Sequence, residues 1–309
     1  MIHFLLRRLL GSMPVVLGVA LTVFLLLHLV PGDPVELMLG DSARPADRSA
    51  LRQALGLDRS LWEQLLGYFG GLAQLDLGES LFSRRPVAEV IAERLPATLE
   101  LAVAALAFAL LIAIPLGLTA ARYKDRAADT GAMVFSLLGI SIPNFWLGPL
   151  LILLFSLGLG WAPVSGRDAS GSLILPAITL GTALAAVLAR MVRSSLLEVL
   201  GEDYIRTGRA KGLSEHTLLW RHALPNAWLP VLTLAGLQLG ALLGGAVITE
   251  TVFDWPGLGS LMIEGIRSRD YPVVQGCVLV ISLAYVLVNL LTDLAYAWID
   301  PRIRLGSGH

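Results

Sequence analysis

Long apolar runs alternate with short polar connections along the whole chain, and this alternation predicts membrane-spanning helices. Six runs reach the roughly 20 apolar residues that a helix needs to cross a bilayer, at about 9–30, 97–121, 131–158, 173–192, 227–250 and 274–297. Between the first two lies a longer amphipathic stretch, 31–96, whose pattern predicts short helices over Ala46–Leu55, Leu61–Phe69 and Pro86–Leu95, the last with proline in its first turn. These helices suit either a lid or docking surface outside the membrane, or a raft at the interface with Trp62, Tyr68 and Phe69 among lipid headgroups. Ten acids against seven arginines in this stretch weaken the case for an anionic-lipid anchor.

Composition agrees with the pattern. The chain has 309 residues, 55% hydrophobic and 15% charged, with a mean hydropathy of +0.72, richer in apolar side chains than soluble domains. The expected architecture is all-α and polytopic, a single transmembrane domain over residues 1–309 in contact with membrane lipid. The first run follows Arg7-Arg8 as a secretory signal would, but its core is longer and ends in Pro31-Gly32-Asp33-Pro34 without a small-x-small cleavage site, so it reads as a retained helix. The net charge of −1 identifies no partner, and no nucleic-acid contact is expected. The one cysteine, Cys277, lies inside a predicted span, which excludes an internal disulfide.

Orientation follows from Lys and Arg near the short connections. Arg7, Arg8, Arg122, Lys124, Arg126, Arg190, Arg193, Arg206, Arg209, Lys211, Arg221, Arg302 and Arg304 fall on one side, and Arg167, Arg267 and Arg269 on the other. The richer side is the cytoplasm, so both termini are expected there, with 31–96 as an external loop.

Polarity is concentrated at 193–226. Glu202 and Asp203 stand where a helix N-terminus favours negative charge, and Arg206, Arg209 and Lys211 where a C-terminus favours positive charge. Gly212 then supplies the left-handed joint that glycine adopts without a side-chain clash. Ser214 can cap a second helix over Glu215–Ala223, which Pro225 is expected to end. The segment therefore predicts helix, glycine turn, helix.

Gly212, followed by nine residues and then His222-Ala223-Leu224-Pro225, resembles the cytoplasmic loop E-A-A-x3-G-x9-I-x-L-P of permease subunits in binding-protein-dependent ABC importers. Arg206-Thr207-Gly208 stands in place of Glu-Ala-Ala, and His222 in place of isoleucine. GEDYIRTGRAKGLS is similar to the version found in the dipeptide, oligopeptide and nickel permease branch. FLLRRLL, LVPGDPV, LGLDRSLWEQ, LDLGESLFSRRPV, PATLELA, FDWPGLG, RDYPVVQG and DPRIR carry the same resemblance over nearly the whole chain. It implies a type I importer permease with a MetI-like fold, in the bacterial cytoplasmic (inner) membrane. It also implies a second homologous permease, two ATP-binding subunits docked at the polar loops, and an extracytoplasmic solute-binding protein. Glu202, Asp203, Arg206, Thr207, Gly208, Arg209, Lys211, Gly212, Leu224 and Pro225 would form the ATPase-coupling loop. ATP and Mg would be bound by the partner ATPases, with no cofactor in this chain.

The chain's own chemistry agrees. Its two lysines, Lys124 and Lys211, complete no phosphate-binding P-loop. No H-E-x-x-H occurs, and His216 and His222, six apart, lie about 240° apart around a helix, so no metal site is expected. Asn144, Gln238 and Asn289 are polar residues within predicted spans, which makes them candidates for the translocation path or for interhelical hydrogen bonds. Glu100, Glu250 and Asp293 lie near span ends. Gly139, Ser141, Pro143 and Asn144 interrupt the third span, which is expected to bend. Gly240, Gly244 and Gly245 are expected to pack the fifth span against the partner permease or beside the pore. Phe253–Gly257 reads as an interfacial aromatic anchor and turn, and Leu258–Arg269 as a short external helix, a gate or a docking site. Small peptides are the favoured cargo, with nickel or metal chelates and glutathione as alternatives. A secondary transporter driven by an ion gradient is the rival mechanism, against which stands the scarcity of ionisable groups mid-membrane.

Overall fold

The structure, a computed structural model, describes residues 2–29, 33–39 and 44–299. Arg302, Arg304, both chain ends and the Pro31-Gly32 corner lie outside the described residues. Among the described residues every regular element is helical, apart from one isolated bridge between Glu79 and Pro86.

The elements are α1 (Ile2–Leu29), α2 (Pro34–Leu39), α3 (Pro45–Ala54), α4 (Leu61–Ala73), α5 (Val87–Arg122), α6 (Ala127–Ser141) and α7 (Asn144–Leu151), which continues as a π-helical stretch, Ile152–Gly158. Then come α8 (Ile174–Leu200), α9 (Asp203–Ala210) and α10 (Glu215–Thr217), a second π-helical stretch over Leu218–Ala223, α11 (Leu224–Gly245), α12 (Val247–Val252), α13 (Leu258–Ser268) and α14 (Tyr271–Ile299). Among the described residues five helices are long and apolar enough to cross a membrane, and the bent pair α6 and α7 makes six if it is one span. Its two limbs meet at 98°. Pro143 drives its predecessor out of the helical region, and Ile142 is extended at φ −85°, ψ 115°.

Two compact units are distinguishable, Met1–Thr98 with Pro256–Ala284, and Leu99–Trp255 with Tyr285–His309. In the first, Val87, Ile91, Leu258, Leu261, Val273 and Cys277 form a buried cluster. The expected separate helix over Pro86–Leu95 is instead the start of α5, which runs through Pro96 for 36 residues. One lost hydrogen bond at Pro96 is outweighed by burial of Val87, Ile91, Ala97 and Leu101, each at most 3% exposed. Asp270, 4% exposed, accepts from the Ser80 hydroxyl (2.6 Å) and the Leu81 amide (3.1 Å), tying the loop before α5 to the start of α14.

In the second unit α8 is the central helix, and it packs against α6, α7 and α11. Small residues permit the close approach: a Cβ on Gly181 would lie 2.6 Å from Phe108 and 2.7 Å from the Ala105 carbonyl. The fifth span packs part of its glycine face within the chain. Gly240 abuts Tyr285, and Gly236 abuts Thr292, both on α14 of the same chain, so this glycine face is used internally. Gly244 is exposed. Phe253 and Trp255 also depart from the expected interfacial anchor, being 2% and 1% exposed. Their backbones are held inside as well, since the Phe253 carbonyl accepts from Gly166 and the Trp255 amide donates to Glu250.

Candidate functional site: the polar elbow

The elbow begins where α8 ends at Gly201. Glu202, extended at φ −71°, ψ 149°, is the N-cap of α9, with Asp203 in the first turn and Arg209 in the last, the charge order that complements a helix dipole. α9 is two-faced. Ile205 and Gly208 are buried, whereas Glu202, Asp203, Arg206, Thr207, Arg209 and Lys211 are exposed. Gly208 is where the two limbs touch, since a Cβ there would stand 2.7 Å from a methyl of Leu218. Arg206 pairs with Asp203 at 3.3 Å, and the Thr207 hydroxyl donates to the Asp203 carbonyl at 2.9 Å; both contacts are local and add little beyond stiffening one turn.

Gly212 has φ +80°, the left-handed conformation that ends α9, and nothing lies within 4 Å of where its Cβ would be. Glycine is required here by the backbone rather than by crowding. Ser214 caps the next limb, accepting from the Thr217 amide at 3.2 Å. Across the turn, Arg209 donates to Glu215 through Nε at 2.6 Å. That hydrogen bond is the main cause holding the Arg209 guanidinium above its ordinary value.

Pro225 does not end the second limb. Helical structure runs from Glu215 to Gly244 as one candidate span, with the π-helical stretch Leu218–Ala223 just before Leu224 and Pro225 at the start of α11. The wider π winding precedes the residue that has no N–H to give, and proline is tolerated in a helix's first turn. Tyr204 on α9 is tied to this limb: its hydroxyl donates to the His222 carbonyl (3.4 Å) and accepts from Asn226 (2.9 Å). The elbow is thus a short amphipathic helix, a glycine joint, and a rod that continues into the membrane.

The fold also pairs two charges, Asp129 and Arg193, that are 64 residues apart. Arg193 near the end of α8 donates through Nε and Nη2 to both carboxylate oxygens of Asp129 at 2.6 and 2.7 Å. Asp129 also accepts from the Asp125 amide, and its side chain is 6% exposed against 25% for Arg193. This bidentate pair joins the start of α6 to α8 ten residues before α9 begins. In Asp129→Ala the guanidinium loses its partner in a largely desolvated place. A loss of roughly 2–4 kcal/mol is expected, discounted for the partial exposure of Arg193. A fall in the melting temperature of the purified complex would register it, and the apolar pair Asp129→Leu with Arg193→Met should recover most of it. A cavity of about 310 Å³ opens beside the elbow, with Arg122, Lys124, Arg209 and Glu215 on its wall.

The three polar candidates for the path lie on three different helices. Asn144 opens α7, Gln238 lies on α11 and Asn289 on α14, each half-buried. Glu250 is fully buried at 0% exposure, and Asp293 is half-buried. Glu100 accepts from Arg167 at 2.7 Å. Among the described residues no cluster of three His, Cys, Asp or Glu could hold a metal ion.

Residues 113–305 match the family described as "Binding-protein-dependent transport system inner membrane component", and residues 1–102 match its N-terminal companion. The chain is 47% identical over 304 residues to the "Glutathione transport system permease protein GsiC" of Salmonella typhimurium (strain LT2), covering 98% of this chain and 99% of the relative. It is 45% identical over the same length to the protein of that name in Escherichia coli (strain K12). Among solved structures it resembles a chain of the inward-facing MetNI methionine ABC transporter, with a TM-score of 0.58 and 21% identity over 69% of this chain and 97% of that one. A second likeness, to an amino acid ABC transporter crystallised with histidines, has a TM-score of 0.51 and 14% identity, covering 67% and 92%. Both are likenesses of fold.

Proposed function

Since the chain belongs to the family of binding-protein-dependent transport system inner membrane components, we propose that it carries glutathione or closely similar small peptides inward, and that the elbow around Gly212 receives the driving force. As an ABC importer permease and a multi-pass inner-membrane protein, it has no ATPase domain of its own and no cofactor; ATP is bound by partner subunits. In our reading the full assembly is this chain, a second homologous permease, two ATP-binding subunits and an extracytoplasmic binding protein, with both termini cytoplasmic.

The observation that carries the coupling role is the continuity of the second limb with the fifth span, from Glu215 to Gly244. A push on the exposed face of α9 reaches Leu218 through the close contact at Gly208, and from there moves α11 as a rigid body. Alternating access of this kind needs no titrating group in the membrane. The cargo assignment rests on the relatives at 45–47% identity, whose names specify glutathione. They favour this alternative over the broader dipeptide and oligopeptide preference of the sequence reading. Glutathione is itself a tripeptide, so the two readings share their chemistry.

Reconstitution in vesicles tests both parts. With the partner permease, the ATPases and the binding protein present, uptake of labelled glutathione should require ATP and exceed uptake of nickel at least tenfold. Uptake by the lone chain under a proton or sodium gradient would reject the coupling role. A preference for nickel over glutathione would reject the cargo.

A further inference from the structure

Within the first unit, α1, α4 and the start of α14 enclose a second cavity of about 300 Å³, at the lower end of the range for small-ligand sites. It is distinct from the elbow and from the polar candidates for the path. Its wall contains polar groups that the protein leaves unsatisfied. Gln275 is 8% exposed and lines the cavity, yet its side-chain amide has no hydrogen-bond partner among the described residues. The Tyr68 hydroxyl is likewise buried without one. A buried hydroxyl left without a partner is costly, so the Tyr68 group in this wall is matched to something that enters the cavity.

The charges around the opening indicate what that is. Arg59 lines the cavity and contacts no carboxylate as an ion pair among the described residues. Asp76 uses one oxygen, Oδ1, to accept from the Gly78 amide at 2.8 Å, which leaves Oδ2 for a cation. Glu63 is already engaged in the capping box with Ser60, and His28 and Gln64 satisfy each other at 3.1 Å. Arg59, which adds to the Ser60 hydrogen bonds in holding the Glu63 carboxyl below its usual range without forming an ion pair with it, and Asp76, with one carboxylate oxygen unused, therefore share an opening over aromatic walls, Phe24 and Tyr271.

We propose that this cavity is a binding site, separate from the translocation path, for a zwitterion of amino-acid to dipeptide size. Arg59 takes the carboxylate, Asp76 the ammonium, and the Gln275 amide a backbone carbonyl or amide. The inference does not depend on the cargo proposed above.

The test uses the assembled permease and ATPase complex in nanodiscs, without binding protein or nucleotide, and glycyl-leucine as the probe in a calorimetric titration. Saturable binding is expected, weakened at least tenfold in Arg59→Ala and in Gln275→Leu. Gly67→Leu provides an occlusion test: Gly67 lines the cavity on α4 and a Cβ there meets nothing within 4 Å, so the added side chain fits the fold while taking up ligand space. N-acetyl-glycyl-leucine amide, with neither charge, should not bind. Absence of binding to the wild-type complex, binding unchanged in Arg59→Ala and Gly67→Leu, or equal binding of the blocked dipeptide would overturn the proposal. The binding-protein-dependent uptake assay reads a different event, so either result can fail alone.

Discussion

In Gly212→Val, ATP-driven uptake should fall at least tenfold while the protein still inserts and reaches the membrane at normal levels. Gly212 sits at φ +80° with open space where a side chain would go, so the penalty is purely conformational. A β-branched residue is the worst choice for a left-handed backbone, and a cost of about 1–2 kcal/mol would be relieved by reshaping the joint. Asparagine tolerates that conformation, and Gly212→Asn should keep most of the uptake. Gly212→Asp has similar tolerance but places a new charge beside Lys211, so it separates damage to the joint from damage to the docking face. ATPase activity stimulated by loaded binding protein is the second readout. If Val and Asn variants transport equally, the joint's conformation is immaterial and the elbow is not the transmission.

The second large effect is on the fold itself. A Cβ on Gly117 of α5 would stand 2.6 Å from Cβ and Cγ1 of Val192 and 2.8 Å from the Ala189 carbonyl on α8. Val192 and Ala189 are each 1% exposed, so neither has room to yield. Gly117→Ala must push the two helices apart, with an expected cost of about 1–3 kcal/mol, seen as a lowered melting temperature and a reduced yield of assembled complex. Gly131→Ala on α6 is the control, because nothing lies within 4 Å of its Cβ; there the usual preference of helices for alanine should make the change neutral or slightly stabilising. Equal behaviour of the two variants would contradict the close packing of α5 on α8.

What could be read in advance was whatever local chemistry alone decides. Gly212 and Ser214 announce a turn and a cap because backbone conformation and a hydroxyl acceptor depend on neighbours in sequence. Pro143 announces the break in the third span for the same reason. The places where reading fell short all depend on distant partners. Pro96 and Pro225 looked like boundaries, yet burial around Val87–Leu101 and the π winding at Leu218–Ala223 carry helices through both. Asp129 and Arg193 are 64 residues apart, and a sequence gives each only as a charge near a span end. The glycines at 117, 181 and 236 resemble any small residue in an apolar run until the opposing helix shows which of them is pressed. The Trp255 side chain looked like a headgroup anchor because an aromatic near a span end usually is one; its burial is a property of the fold around it.

The wide winding at Leu218–Ala223 has one more implication. Each residue added to or removed from an α-helix turns everything beyond it by about 100°, and this stretch fixes the angular phase between the glycine joint and the face of α11 that carries Gly236 and Gly240 against Thr292 and Tyr285. A one-residue deletion there would leave composition and hydropathy nearly untouched, yet would present the wrong side of α11 to α14. Six residues thus act as the timing mark between the outer gear and the shaft, and length at this point is under tighter constraint than the identity of any one side chain in it.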